Sequence, residues 1–167
     1  MAVEAASMPA VEQIRTHPVY REHLARIVEL ERDRAFCRHG MAHLLDVARV
    51  AYIFSLERGL GFGKEVVYAA ALLHDIGKGA QYESGEPHEI AGAEIARRIL
   101  ADVDALGSVD KAAIAAAVRE HRHYSDTASP LGKLLYEADK ASRACYACLA
   151  CEQCSWPADR MNGAIAV

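Results

Sequence analysis

The segment "YAAALLHDIGKGAQ", residues 68–81, constrains this chain more than any other. Its apolar run from Tyr68 to Leu73 has the make-up of a buried helix, yet it ends in His74 and Asp75 side by side. Burying an imidazole and a carboxylate without partners costs on the order of several kcal/mol. The fold must therefore bring something to them: a hydrogen-bonded core, a proton-transfer pair or a metal.

The rest of the chain agrees with packed helices. With 167 residues it is long enough for one domain with a substantial core. A hydrophobic content of 52% with only 7% aromatics, and many alanines, favours helices over sheets. The net charge of −4 gives no electrostatic case for nucleic acid as a main partner. No run of about 18 apolar residues is present, so a membrane span is not expected. Five cysteines, an odd number without a secretory signal, favour a reducing, cytoplasmic setting over a disulfide scaffold.

Residues 1–8 read as a frayed leader, within a leader or first helical segment covering 1–17. Pro18 is well placed to open a helix carrying "VYREHLARIVELERDRAF", with Leu24, Ile27, Val28 and Leu30 at helical spacing. A second helix runs from about His39, burying Leu44, Val47, Val50, Ala51 and Phe54, until Gly59, Gly61 and Gly63 break it. A third spans about Lys64 to His74. The stretch "KGAQYESGEP" reads as a loop, and Glu86 and Pro87 introduce a fourth helix. A fifth fits "VDKAAIAAAVREH", and a sixth starts near Pro130 and continues through "LGKLLYEADKASRACYAC". The expectation is an all-α bundle of five to seven helices over residues 18–143, followed by a Cys-rich extension over 144–167.

Polar residues fall on these helices in a telling way. His43 sits early in the second, His74 and Asp75 close the third, His88 begins the fourth, His121 ends the fifth, and Asp139 interrupts the apolar stripe of the sixth. One such residue would be an ordinary core histidine with a hydrogen bond. Six, spread over five helices, are hard for one core to dispose of singly, and a shared metal site disposes of them together.

The ordered series "HLLDVARVA", "ALLHDIGKG", "PHEIAGAEIA", "AAVREH" and "LLYEADKAS" resembles the HD-domain metal-dependent phosphohydrolases, over about His39 to Ser142. The "PHEIAGAEIA" segment looks most like the branch that hydrolyses dinucleoside tetraphosphates, and no Gly-Tyr-Pro signature of cyclic di-nucleotide phosphodiesterases is present. The resemblance implies an HD-type helical bundle in which His43, His74, Asp75 and Asp139 form the basic metal site. His88 and His121 match the extra histidines of dinuclear members, with Asp75 bridging; His123 competes with His121 for its role.

Imidazoles with a few carboxylates suit one or two divalent ions such as iron, manganese or zinc. Two ions about 3.5–4 Å apart can activate a water and clamp phosphate oxygens. Asp75, Lys78 and Arg122 are the expected catalytic residues, Lys78 on its Gly-rich turn and Arg122 in the following loop as phosphate contacts. Glu89, Glu120 and Asp46 are nearby acceptors for the outer ring nitrogens. His39, one turn before His43, either faces the same pocket or lies exposed at the helix end. The implied reaction is hydrolysis of a phosphate ester or anhydride, with a small phosphate substrate such as a nucleotide. A nucleotide- or metal-sensing module without turnover and a di-iron oxygenase stay open as alternatives, as does a homodimer.

The tail "CYACLACEQCSW" places Cys145, Cys148, Cys151 and Cys154 three residues apart. On a continuous α-helix successive cysteines would drift by about −60°, setting the first and last on opposite faces. The run resembles a four-cysteine zinc or iron–sulfur site; a turn near Cys151–Glu152 could gather the sulfurs, and Cys37 could supply a replacement ligand. Otherwise they are small buried hydrophobes.

Overall fold

Prolines and small capping groups set the helix starts in the computed structural model, which describes residues 7–165. Most of the leader expected over residues 1–8 therefore lies outside the described residues. Eight α-helices follow in order: α1 Pro9–Thr16, α2 Pro18–Leu30, α3 Met41–Glu57, α4 Lys64–Leu73, α5 Lys78–Ser84, α6 His88–Ala101, α7 Ser108–Glu120 and α8 Pro130–Ala141. The described residues contain no strand. Three single-turn 3-10 segments, Cys145–Ala147, Cys151–Gln153 and Ala158–Arg160, make up the tail. Pro9, Pro18 and Pro130 occupy the first turn of their helices, where a missing N–H is harmless. At α8 the Ser129 hydroxyl accepts from the Gly132 N–H at 3.1 Å.

Helix α4 is the hub. Val67 and Ala69 through Leu73 are all buried, so the helix has almost no solvent face, and α1, α3, α7 and α8 pack around it. Its alanines let the neighbours approach closely, while Leu72 and Leu73 each contribute about 1.5–3 kcal/mol by burial. Its C-terminal end lies inside the protein, where the buried His74 follows Leu73.

Two helices add to the six read from periodicity. Helix α1 inserts Ala10, Val11 and Ile14 into the core against α4. Helix α5 replaces the expected loop. Gly85, with φ of +77°, ends it in the left-handed conformation that glycine adopts without strain. The Arg26–Glu83 ion pair at 2.5 Å and the Tyr82–Glu31 hydrogen bond at 2.5 Å hold it to α2.

Other boundaries shift for identifiable reasons. Helix α2 stops at Leu30 rather than continuing to Phe36, because Glu31 turns inward to bond with His39 and Tyr82. Val28 and Leu30 are consequently exposed, while Tyr20 and Ile27 carry the buried face. In α3, Val50 and Phe54 are half-buried, whereas Leu44, Val47 and Ala51 are in the core. Helix α8 ends at Ala141, well short of the cysteines. The Asn162 amide lies 2.9, 3.2 and 2.7 Å from the carbonyls of Lys140, Ala141 and Arg143, capping the helix end and tying the tail back to it.

Candidate metal centre

Helix ends build the site. His74 and His121 sit immediately after the last residues of α4 and α7, where the final backbone carbonyls have no donor of their own helix. Each ring fills that need. His74 Nδ1 donates to the Ala71 carbonyl at 2.7 Å, and His121 Nδ1 donates to the Val118 carbonyl at 2.6 Å. His88, at the first position of α6, donates from Nδ1 to Gln81 Oε1 at 2.6 Å. These bonds fix the tautomer, so all three histidines aim an Nε2 lone pair inward.

The inward nitrogens converge on Asp75 from two sides. One carboxylate oxygen, Oδ2, lies 3.1 Å from His74 Nε2 and 3.5 Å from His43 Nε2. The other, Oδ1, lies 3.3 Å from His88 Nε2 and 3.6 Å from His121 Nε2. Asp139 Oδ1, from α8, completes the first side at 3.3 Å from His43 Nε2. Two sets result, each with its donor atoms within 4.8 Å of one another: His43, His74, Asp75 and Asp139, and Asp75, His88 and His121.

Three observations say what these sets lack. His43 Nε2, His74 Nε2 and Asp139 Oδ1 are buried without any hydrogen-bond partner. His88 Nε2 and His121 Nε2 face each other at 3.2 Å, although both rings already spend their N–H groups elsewhere. Two lone pairs at that distance repel unless a cation lies between or beside them. Burial pushes His43 down, but Asp139 and Asp75 overcome it and raise its pKa to about 9, so the carboxylates draw positive charge into the first set. Burial likewise pushes Asp75 and Asp139 up, and the surrounding histidines hold both well below the ordinary carboxylate range. His88 moves the other way, driven down to about 2 chiefly by burial, and stays neutral. The buried His/Asp cluster thus fits divalent metal, with orphaned donors on both sides of one carboxylate.

All six residues expected around metal come together here, and His121 rather than His123 joins them; His123 is exposed. Lys78 opens α5 with Nζ 3.8 Å from Asp75 Oδ1, and burial lowers its pKa. Arg122 lies just outside, 3.0 Å from Glu89 Oε2, at the wall of a cavity of about 240 Å3 shared with Arg119 and His123.

The expected outer acceptors are corrected. Glu120 instead accepts from Ser129, at 2.6 Å from its hydroxyl, and Asp46 pairs with Arg49 at the surface. Glu89 is 3.6 Å from His88 Nδ1 but yields the closer contact to Gln81. Backbone carbonyls of Ala71 and Val118 do the work for His74 and His121.

His39 resolves in favour of the pocket. It is buried, with Nε2 3.9 Å from Asp75 Oδ2, and its Nδ1 bonds to Glu31 Oε1. Glu31 also accepts from the His39 backbone N–H at 2.7 Å and from the Tyr82 hydroxyl. Burial raises Glu31, but these bonds outweigh it and bring its pKa to about 2. Gln81, Tyr82 and Glu31 were not foreseen as site residues. The signal for the first two was available: Lys78, Gln81 and Tyr82 have i, i+3, i+4 spacing, one face of a helix.

Glycine sets how closely the two halves approach. A Cβ on Gly77 would lie 2.2 Å from the His88 carbonyl oxygen and 2.5 Å from the Gly92 nitrogen. Only glycine lets the turn after Asp75 press against α6 and deliver His88.

The HD domain family model matches residues 40–152. The chain belongs to the HD domain family. It is similar to an uncharacterized protein of Clostridium beijerinckii, 41% identical over 87% of this chain and 91% of the relative. It is also similar to ribonuclease Y of Mycoplasma mycoides, 24% identical over 84% of this chain, and of Chloroflexus aurantiacus, 34% identical over 65%. Those matches span 31% and 19% of the two ribonucleases, so the chain corresponds to a part of them. Among solved structures, a predicted HD superfamily hydrolase from an uncultured Thermotogales bacterium superposes with a TM-score of 0.57. It is 28% identical, covering 78% of this chain and 71% of the other. Among the described residues no helix is long and apolar enough to cross a membrane.

Proposed function

We propose that the chain is a metal-dependent phosphohydrolase acting on a phosphate ester or anhydride of a nucleotide, in the manner of the dinucleoside-tetraphosphate hydrolases. The single observation that carries this reading is the division of Asp75, with Oδ2 turned to one donor set and Oδ1 to another. His43, His74 and Asp139 would hold one divalent ion, His88 and His121 a second, and Asp75 would serve both. Such ions, iron or manganese by the donor chemistry, supply Lewis acidity toward phosphoryl oxygen and an activated water.

The protein's own groups then have distinct tasks. The C-terminal carbonyls of α4 and α7 hold His74 and His121 in one tautomer. Lys78, half-desolvated beside Asp75, presents a cation to a phosphate oxygen without reaching past the carboxylate. Arg122 stands farther out, where a second phosphate of an anhydride would extend, and Glu89 orients it. Glu31 fixes His39 with Nε2 toward Asp75, leaving a ring N–H or lone pair to bond a reacting water or leaving oxygen.

The ribonuclease Y relatives favour a second reading, cleavage of RNA phosphodiesters. One assay separates them. Phosphate or nucleotide release is followed across a panel of mononucleotides, dinucleoside polyphosphates and short oligoribonucleotides with added manganese or iron, using wild type and Asp75→Ala. Metal-dependent turnover of nucleotides that vanishes in Asp75→Ala supports the first reading, and turnover confined to oligoribonucleotides supports the second. Binding without turnover of any member refutes both and favours a sensor.

A further inference from the structure

Beyond the His/Asp centre, the structure gathers all five cysteines around one cavity. Its volume is about 360 Å3, and Cys37, Cys145, Cys148, Cys151 and Cys154 all line it. None of the five is in a disulfide.

The local structure explains how a ladder unsuited to an α-helix reaches one cavity. After α8 ends, the chain makes consecutive three-residue turns, each opened and closed by a cysteine. The N–H groups of Cys148, Cys151 and Cys154 donate to the carbonyls of Cys145, Cys148 and Cys151 at 3.2, 3.2 and 3.1 Å. Cys148 and Cys154 close the two 3-10 segments with extended backbone, ψ 120° and 133°, so the ladder is broken into short turns and the 60° drift of a continuous α-helix does not accumulate. Cys37 joins the lining from the segment between α2 and α3. The tail is anchored in this position by Asn162 on the end of α8 and by Trp156, whose ring lies 3.9 Å from the Arg143 guanidinium.

Five thiols lining one cavity point to a ligand with several thiolate bonds. A single zinc with bonds of about 2.3 Å draws tetrahedral sulfurs to roughly 3.8 Å of each other. No three of these sulfurs lie within 4.8 Å of one another among the described residues, although the His/Asp sets do meet that limit. Iron–sulfur clusters spread their thiolates farther, around a body that needs a cavity rather than a point. They commonly take three cysteines from a C-x2-C-x2-C run and a fourth from elsewhere in the chain. Arg38 and Arg143 also line the cavity, offering positive charge to an anionic thiolate cluster.

We propose that this cavity binds a [4Fe–4S] cluster, held by Cys145, Cys148 and Cys151 of the tail and by Cys37 of the segment between α2 and α3. Cys154 stands next in the ladder without a required role. The cluster would share a wall with the His/Asp centre, because His43 lines the same cavity and Arg143 lies 3.5 Å from Asp139 Oδ2.

The test is anaerobic reconstitution of the full chain with ferrous iron and sulfide, followed by desalting. Acid-labile sulfide is the deciding count, because the His/Asp centre binds none and cannot contribute to it. About four sulfides per chain with broad visible absorption are expected. Cys148→Ser and Cys37→Ser should both lose the sulfide and the absorption, while far-ultraviolet circular dichroism stays that of wild type. Cys37 is exposed, so its substitution tests the cluster without disturbing a packed core. Cys154→Ser should retain the cluster. Absence of retained sulfide overturns the proposal, as does one zinc per chain released by Cys148→Ser. Retention in Cys37→Ser with loss in Cys154→Ser overturns the choice of the fourth ligand.

Discussion

Replacing Gly77 by alanine should damage one half of the metal centre from a position that carries no ligand. The added Cβ would meet the His88 carbonyl oxygen at 2.2 Å, the Gly92 nitrogen at 2.5 Å and the Gly92 Cα at 2.9 Å. All three are backbone atoms, so no side chain can rotate away. Relief requires α6 to move off the Asp75 turn by about 1 Å. Overpacking of this kind costs about 1–3 kcal/mol, and rigid backbone on every side places this case at the upper end. The displacement falls on His88, whose Nε2 now stands 3.3 Å from Asp75 Oδ1 and 3.2 Å from His121 Nε2. Metal bonds tolerate only about 0.2 Å, so the ion held by His88 and His121 should weaken by tenfold or more (~1.4 kcal/mol). The set of His43, His74 and Asp139 does not involve α6 and should bind almost as before. Urea unfolding of chelator-treated protein reads the stability, and calorimetric titration with manganese reads each ion. A Gly77→Ala protein with wild-type stability and two wild-type affinities would refute the reasoning.

Other perturbations separate the remaining parts. His121→Ala should remove one ion per chain by elemental analysis, whereas His123→Ala, exposed and outside both sets, should leave the count unchanged. On the proposed phosphohydrolase reading, Lys78→Ala should lower kcat/KM by about 10²-fold while metal content stays the same, which steady-state kinetics beside elemental analysis would reveal. Glu31, held at about 2 instead of its usual 4.5, stabilises the fold fully above that usual value and loses its contribution as pH falls from 4.5 toward 2. The shift corresponds to at most about 3 kcal/mol. The gap in chelator-treated stability between wild type and Glu31→Gln should accordingly shrink on acidification, and a gap independent of pH would contradict the sign.

Much of the candidate site is legible in the sequence because its residues interrupt apolar stripes. His43, His74, Asp75, His88, His121 and Asp139 each stand where a helix pattern calls for core, and the fold brings all six together. The supporting residues were harder to see, for physical reasons. The carbonyls of Ala71 and Val118 leave no side-chain signature. Glu31 lay inside what looked like a longer charged helix, and only its burial against His39 and Tyr82 reveals its part. Helix α5 was hidden by its two flanking glycines, which read as loop although one permits close packing and the other ends the helix. The cysteine ladder leaves both a helix and a turn open in the sequence, because its three-residue period suits no continuous α-helix; short turns broken at Cys148 and Cys154 carry it to the cavity.

On the proposed function, Asp75 serves two ions. Crystals grown with manganese and measured at its absorption edge count those ions directly. Two anomalous peaks are expected, one enclosed by His43, His74 and Asp139 and the other by His88 and His121, with Asp75 between them. A single peak, or none, would contradict it.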